Sequence, residues 1–152
     1  MARIKVTEHV EAPIERVFAL ATDFANAPDA IEAITKVEML TQGPVGKGTR
    51  FRETRKMFGR EVTEEMEVTS FEPPSHYTLG CESGGCRYHS ELRFERSGAG
   101  TDVSLTFDAV PLTLLAKVLS VVMRPMMKSM AKACAKDLAD MKKLLEDQTL
   151  VV

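Results

Sequence analysis

The chain has 152 residues, 44% of them apolar and 28% charged, with a formal net charge of −2. Such a length suits one domain, expected here to span 1–152, with enough chain to bury a proper core, and the composition excludes an intrinsically disordered protein. Nucleic acid is not an expected partner, because Arg50, Arg52, Arg55 and Lys56 are followed at once by Glu61, Glu64, Glu65 and Glu67, so no basic face accumulates.

The N-terminus, Met-Ala-Arg-Ile-Lys-Val, passes directly into an alternating pattern with no apolar leader, so a secretory signal is not expected. The most apolar stretch, Leu112 to Met130, is interrupted by Lys117, Arg124, Pro125 and Lys128, which argues against an integral membrane segment. Three cysteines fit a reducing compartment better than a disulfide framework. A cytoplasmic location is the expectation.

Ile4, Val6 and Val10 alternate with Lys5, Thr7 and His9, the period of a half-buried strand. Ala12-Pro13 then opens a helix with Val17, Phe18, Leu20 and Ala21 on its buried stripe. A second short helix is expected over 24–31, disturbed by Pro28. After the loop Gln42-Gly-Pro-Val-Gly-Lys-Gly48 the chain reads as a meander, with strands near 34–40, 49–57, 60–71, 76–81, 86–96 and 101–110. Pro111 ends the last strand. One helical pattern follows to about Glu146, kinked at Pro125, with Leu115, Leu119, Val122, Met126, Met130, Ala133, Leu138, Met141 and Leu145 as its buried stripe.

Residues directly opposed in a hairpin share a face, so register assigns the inward side chains. A turn at Phe58-Gly59 pairs Met57 with Arg60, Arg55 with Val62, Glu53 with Glu64 and Phe51 with Met66. A loop of Glu82 to Gly85 pairs Cys81 with Cys86, Leu79 with Tyr88 and Tyr77 with Ser90. The inward face continues through Leu92 and Phe94 to Val103, Leu105 and Phe107. This face is apolar yet carries Glu53, Arg55 and Glu64, charges that burial disfavours unless they are paired. An apolar wall with a few polar groups describes a ligand pocket better than a dry core.

The order of elements and four motifs carry a family likeness. They are Val10-Glu-Ala-Pro13 with Arg16-Val-Phe18 after the first strand, Gly46-Lys-Gly-Thr-Arg-Phe51 entering the third, Phe71-Glu-Pro-Pro74 ending the fourth, and Leu138-Ala-Asp-Met-Lys-Lys-Leu-Leu-Glu146 closing the last helix. Together they resemble the START-like, or SRPBCC, superfamily, specifically its polyketide cyclase/dehydrase and lipid-transport group. The resemblance implies an α+β helix-grip fold, a bent seven-stranded antiparallel sheet around a long C-terminal helix, with two short helices between the first two strands. It also implies a ligand among lipids, sterols, polyketides, quinones or plant hormones, and in some members cyclase or aromatase activity. Relatives often carry a Trp in the second short helix; this chain has none, so its pocket mouth is expected to be more polar or more open.

Several constellations carry chemistry. Glu53 or Glu64 with a raised pKa can serve as general base for an aldol-type cyclisation while Arg55 polarises a carbonyl; the same trio can equally hold a ligand's polar end. Cys81 and Cys86 are expected to be free thiols, with an oxidisable pair as the alternative. No metal or cofactor is expected, because neither Cys134 nor the histidines complete a ligand pattern. His9 and His89 fall on the polar face. The glycine run at 43–48 lacks the Gly-Lys-Ser/Thr of a phosphate loop and feeds a strand. Methionines on inward strand positions and on the last helix suit varied apolar partners.

The expected ligand-contacting set is therefore Phe51, Glu53, Arg55, Glu64, Met66, Leu79, Tyr88, Ser90, Leu92, Leu105, Leu119, Val122, Met126 and Met130. The partner is a small hydrophobic molecule, and the protein itself a monomer or weak homodimer. Binding is favoured over polyketide cyclase/dehydrase-type catalysis, with a protein-interaction module as a further alternative.

Overall fold

In the computed structural model, residues 2–57, 59–83, 85–122 and 127–150 are described. The alternation of Ile4, Val6 and Val10 builds β1 (Ala2–Val10), and α1 (Ile14–Thr22) follows, with the Pro13 carbonyl accepting a hydrogen bond from the Val17 amide at 3.1 Å. Ile14, Val17 and Phe18 face inward, one side of a helix at near i, i+3 and i+4 spacing. A 3-10 turn (Phe24–Asn26) and α2 (Ala27–Ala30) occupy the region where one interrupted helix was expected.

The meander forms β2 (Ile34–Met39), β3 (Arg50–Met57), β4 (Arg60–Glu72), β5 (His76–Ser83), β6 (Cys86–Ser97) and β7 (Gly100–Pro111). All neighbours are antiparallel, in the order β1-β7-β6-β5-β4-β3-β2, a seven-stranded sheet. Only the β1–β7 pairing is non-local. Irregularities in register at Ile34/Lys36 and Val68/Ser70 mark β-bulges, which bend a strand and increase its twist. Gly85, at φ +78°, takes the left-handed conformation that the tight β5–β6 turn needs.

The β3–β4 register matches expectation, with Glu53 opposite Glu64 and Phe51 opposite Met66. The β5–β6 register does not. Ser83 pairs with Cys86, Cys81 with Tyr88, Leu79 with Ser90 and Tyr77 with Leu92. The turn is two residues shorter than the expected loop, and the slip by two keeps every side chain on its face. Cys81 and Cys86 are therefore not opposed, and all three cysteines are free.

The C-terminal helical pattern contributes two described helices. α3 (Leu114–Val122) ends and α4 (Met127–Leu150) begins on either side of 123–126, a segment outside the described residues that contains Pro125. The kink expected at Pro125 falls within this segment. The buried stripe does not extend into α3: Leu115 and Leu119 are 70% and 50% exposed. On α4 it holds, with Leu138, Met141 and Leu145 buried.

α4 lies across the concave face. Its C-terminal half is anchored where β1 ends: Lys142 Nζ donates to the His9 carbonyl at 2.6 Å, and Glu146 Oε2 accepts from the Glu11 amide at 2.9 Å. Between helix and sheet, Phe18, Phe24, Phe51, Tyr77 and Phe94 form an aromatic cluster, with Phe24 stacked on Phe51 at a centroid distance of 4.5 Å. This cluster fills one end of the space under α4. The other end is left open.

Candidate functional site

Alternation puts one residue in two from each strand on the concave face, and the half of α4 beyond the aromatic cluster does not fill the space above it. A cavity of about 400 Å³ results. Of the expected contact residues, Phe51, Glu53, Arg55, Glu64, Met66, Leu79, Tyr88, Ser90, Leu92, Leu105 and Met130 line it. Leu119 does not; it is half exposed on α3. Met126 and the side chain of Val122 lie outside the described residues. Lining residues beyond the expected set include Ala27 and Ile31 near the mouth, Phe107 on β7, and Cys134 and Asp137 on α4.

Exposure falls along the cavity. Phe24, Phe51, Tyr77, Leu92, Leu138 and Met141 are buried at one end, while Ile31, Met57, Val62, Tyr88, Phe107 and Met130 are half-buried at the other. The mouth therefore lies where the β3–β4 and β5–β6 turns, the end of β7 and the start of α4 meet.

Toward the closed end sits an ion network. Arg55 Nε donates to Glu53 Oε1 at 2.8 Å, and Nη2 donates to Asp137 Oδ2 at 2.9 Å. Glu53 and Arg55 share a face because they are two apart on β3, and Asp137 reaches them from α4. Burial alone lowers the Arg55 pKa, but Asp137 and Glu53 more than reverse this, so the guanidinium stays charged. Burial pushes the Asp137 carboxyl above its ordinary range against the pull of Arg55, and Glu53 adds to the rise. Asp137 Oδ1 is buried and accepts no hydrogen bond among the described residues. A buried acceptor left without a donor is unfavourable in a finished core.

Glu64, expected beside Arg55, takes a different partner. Its Oε2 accepts from Cys81 Sγ at 3.6 Å, a weak thiol hydrogen bond. Burial and then Glu64 push the Cys81 thiol up to about 12, and burial followed by Asp137 pushes Cys134 up to about 11. Both are protonated at neutral pH and poor nucleophiles. Burial likewise raises the Tyr77 phenol, with Glu53 and Asp137 adding, so Tyr77 stays a donor and bonds the Ala21 carbonyl at 3.4 Å. Among the described residues, no group of three His, Cys, Asp or Glu side chains is placed to hold a metal ion.

Asp137 was legible in one respect. It falls on the four-residue step Ala133, Asp137, Met141, Leu145, the one charged position of that series on the inward stripe of α4.

A bent antiparallel sheet closed by a C-terminal helix over an internal cavity is the helix-grip architecture. The chain belongs to the family described as polyketide cyclase/dehydrase and lipid transport, which it matches over residues 1–146. Among solved structures it resembles the Zhui aromatase/cyclase from Streptomyces sp. R1128, at 19% identity and a TM-score of 0.80, covering 97% of this chain and 95% of that one. It also resembles a START superfamily protein from Mycobacterium smegmatis, at 17% identity and TM-score 0.77, covering 96% and 98%. A protein from Thermus thermophilus is similar at 20% identity and TM-score 0.79, covering 97% and 99%. These likenesses establish the fold. No curated protein matches the chain by sequence.

Proposed function

We propose that the protein binds a small, elongated apolar or aromatic molecule in the cavity, oriented by a hydrogen-bond donor at its inner end. The carrying observation is Asp137 Oδ1, a buried carboxylate oxygen without a donor among the described residues, on the wall of an otherwise largely apolar space of about 400 Å³. That size falls within the range of small-molecule sites, roughly 300–1,000 Å³. Apolar walls supply affinity by desolvation, roughly 25 cal/mol per Å² of apolar surface removed from water. Glu53 and Asp137 outnumber Arg55, so the pole favours a hydroxyl or amine and disfavours a carboxylate or phosphate. A thermal-shift panel of matched long-chain alcohols, acids and polyphenols, with native mass spectrometry of the complexes, tests this. Alcohols or phenols should stabilise the protein and acids should not. No retained ligand and no shift across the panel would sink the reading.

A cyclase of the aromatase type is the second reading, favoured by Glu64 on the cavity wall and by the likeness in fold to an aromatase/cyclase. There Glu64 would take a proton from the carbon beside a carbonyl. Arg55 suits carbonyl polarisation poorly, because two carboxylates already offset its charge. On this reading Glu64→Gln abolishes turnover of a poly-β-ketone and leaves its affinity largely intact.

A further inference from the structure

We propose that α3 and the first turns of α4 form a docking surface for an anionic lipid bilayer. This surface lies on the outside of the protein; its binding to a bilayer does not depend on a ligand in the cavity, while its use in ligand exchange rests on the proposed function.

Apolar side chains on α3 point outward. Leu114 is 79% exposed, and Leu115, Val118, Leu119 and Val121 are each at least half exposed. Among the described side chains of this helix Ala116 is the buried one, and it seats against the β5–β6 turn, where a Cβ on Gly85 would come within 3.4 Å of the Ala116 Cβ. The helix thus rests on the sheet through its smallest side chain and presents Leu114, Leu115, Val118, Leu119 and Val121 to solvent. Val110 and Leu112, also exposed, extend the patch along the end of β7. A contiguous apolar patch of this kind marks an interaction surface in a folded protein.

Charge selects the partner. The chain carries 20 basic and 22 acidic residues, yet 109–136 contains Lys117, Arg124, Lys128, Lys132 and Lys136 and no carboxylate. Lys128 and Lys132 are exposed on the first turns of α4, while Lys136 is engaged by Glu32 and Asp140. The adjoining turns bring Lys56 and Arg60 against Glu61, and an internal Arg87–Glu82 pair, so they do not reverse the sign. Exposed leucines and valines flanked by lysines, in a stretch without a carboxylate from 109 to 136, match a bilayer with anionic headgroups. A second copy docked on the same patch would bring the Lys128 and Lys132 clusters together, which is repulsive. With nine residues, α3 is too short to cross a bilayer, and no helix among the described residues is long and apolar enough to do so. It suits a helix lying in the interface.

Placement gives the surface a use. α3 leaves β7 at the end of the sheet where the cavity is open, beside Tyr88 and Phe107 on the wall and Met130 on α4. Docking through α3 sets the mouth against the lipid, so an apolar molecule can pass between bilayer and cavity with little exposure to water.

The test is co-sedimentation of the full chain with vesicles of phosphatidylcholine alone or mixed with phosphatidylglycerol. Two variants accompany it, Leu115→Asp/Leu119→Asp on α3 and Lys128→Glu/Lys132→Glu on α4, with circular dichroism confirming the fold of each. The wild type should sediment with the mixed vesicles, more weakly as salt is raised, and each variant should lose about tenfold or more in partitioning. Failure to bind either vesicle, equal binding to both, or unchanged binding by both variants would overturn the proposal. So would a dimer that the α3 variant dissolves without any vesicle binding. Loss in the α4 variant alone still supports the charged half if the α3 variant proves unfolded.

Discussion

Replacing Arg55 by methionine isolates the electrostatics of the cavity pole. Methionine approximates the length of the arginine stem, so packing changes little while both ion pairs vanish. Glu53 and Asp137 are then left in one buried site, each having lost a charge-assisted hydrogen bond of 2.8 or 2.9 Å. Their side chains are only 9% and 12% exposed, so water does not readily replace the guanidinium. Removing one partner of such a buried network costs about 3–5 kcal/mol. With a urea slope of roughly 2 kcal/mol per molar for a small domain, the unfolding midpoint should fall by about 2 M. The sign of the pH effect follows. Without Arg55 the Asp137 carboxyl, already raised by burial, lies further above its unfolded pKa, so the native state binds more protons. Stability then falls as pH rises from the unfolded toward the folded pKa, and acidification to below that window recovers much of the loss. Urea titrations of wild type and variant near neutral pH and again in mild acid measure both effects. A deficit under about 1 kcal/mol at neutral pH, or one that does not shrink in acid, would refute the assignment of these groups as a buried charged network.

Three further outcomes are expected. Leu145→Ala removes a side chain that is 2% exposed beneath α4 and should cost about 2–5 kcal/mol in urea unfolding; a loss near zero would place α4 outside the cooperative core. Gly100→Ala would set a Cβ 2.5 Å from the Val10 carbonyl oxygen, and the β1–β7 pairing must shift to admit it, at about 1–3 kcal/mol. His9 is partly exposed, and its hydrogen bonds to Asp102 and then Glu11 raise its pKa above the ordinary 6.5. Its contribution is fully present below the unfolded pKa and is lost as pH rises through the folded one. Melting curves of wild type and His9→Gln should therefore differ in mild acid and converge in alkali, and a pH-independent gap would exclude the ionic pairing.

The fold was legible because period and turn chemistry agree along most of the chain. Met57-Phe-Gly-Arg60 specified its register correctly: the turn glycine and the apolar alternation on both sides point to one pairing. At 82–85 two glycines allowed more than one turn length, and the shorter one formed. Face assignment survived because the slip was even. Helix periodicity misled at 114–122, where leucines and valines recur on every side and the pattern cannot show which side is covered. Position 137 was overlooked for the opposite reason: an aspartate flanked by Lys136 and Leu138 reads as surface, and only the packing of α4 over β3 shows it meeting Arg55.

That meeting allows stability and function to be separated. A buried ion network seldom stabilises more than apolar side chains of similar volume would, and replacing one wholesale is often neutral or favourable by about 1–4 kcal/mol. The network on this cavity wall also leaves Asp137 Oδ1 without a donor among the described residues and holds Asp137 above its ordinary pKa, both signs of a site not optimised for stability. The triple variant Glu53→Leu/Arg55→Met/Asp137→Leu should therefore unfold at the same or a higher urea concentration than wild type, in contrast to Arg55→Met alone. If the network orients a ligand, the same variant should lose the distinction between alcohols and acids in the thermal-shift panel while still taking up apolar molecules. Destabilisation of the triple variant would make the network a structural brace. Retained discrimination would place the polar recognition elsewhere on the wall, with Glu64 and Ser90 the next groups to replace.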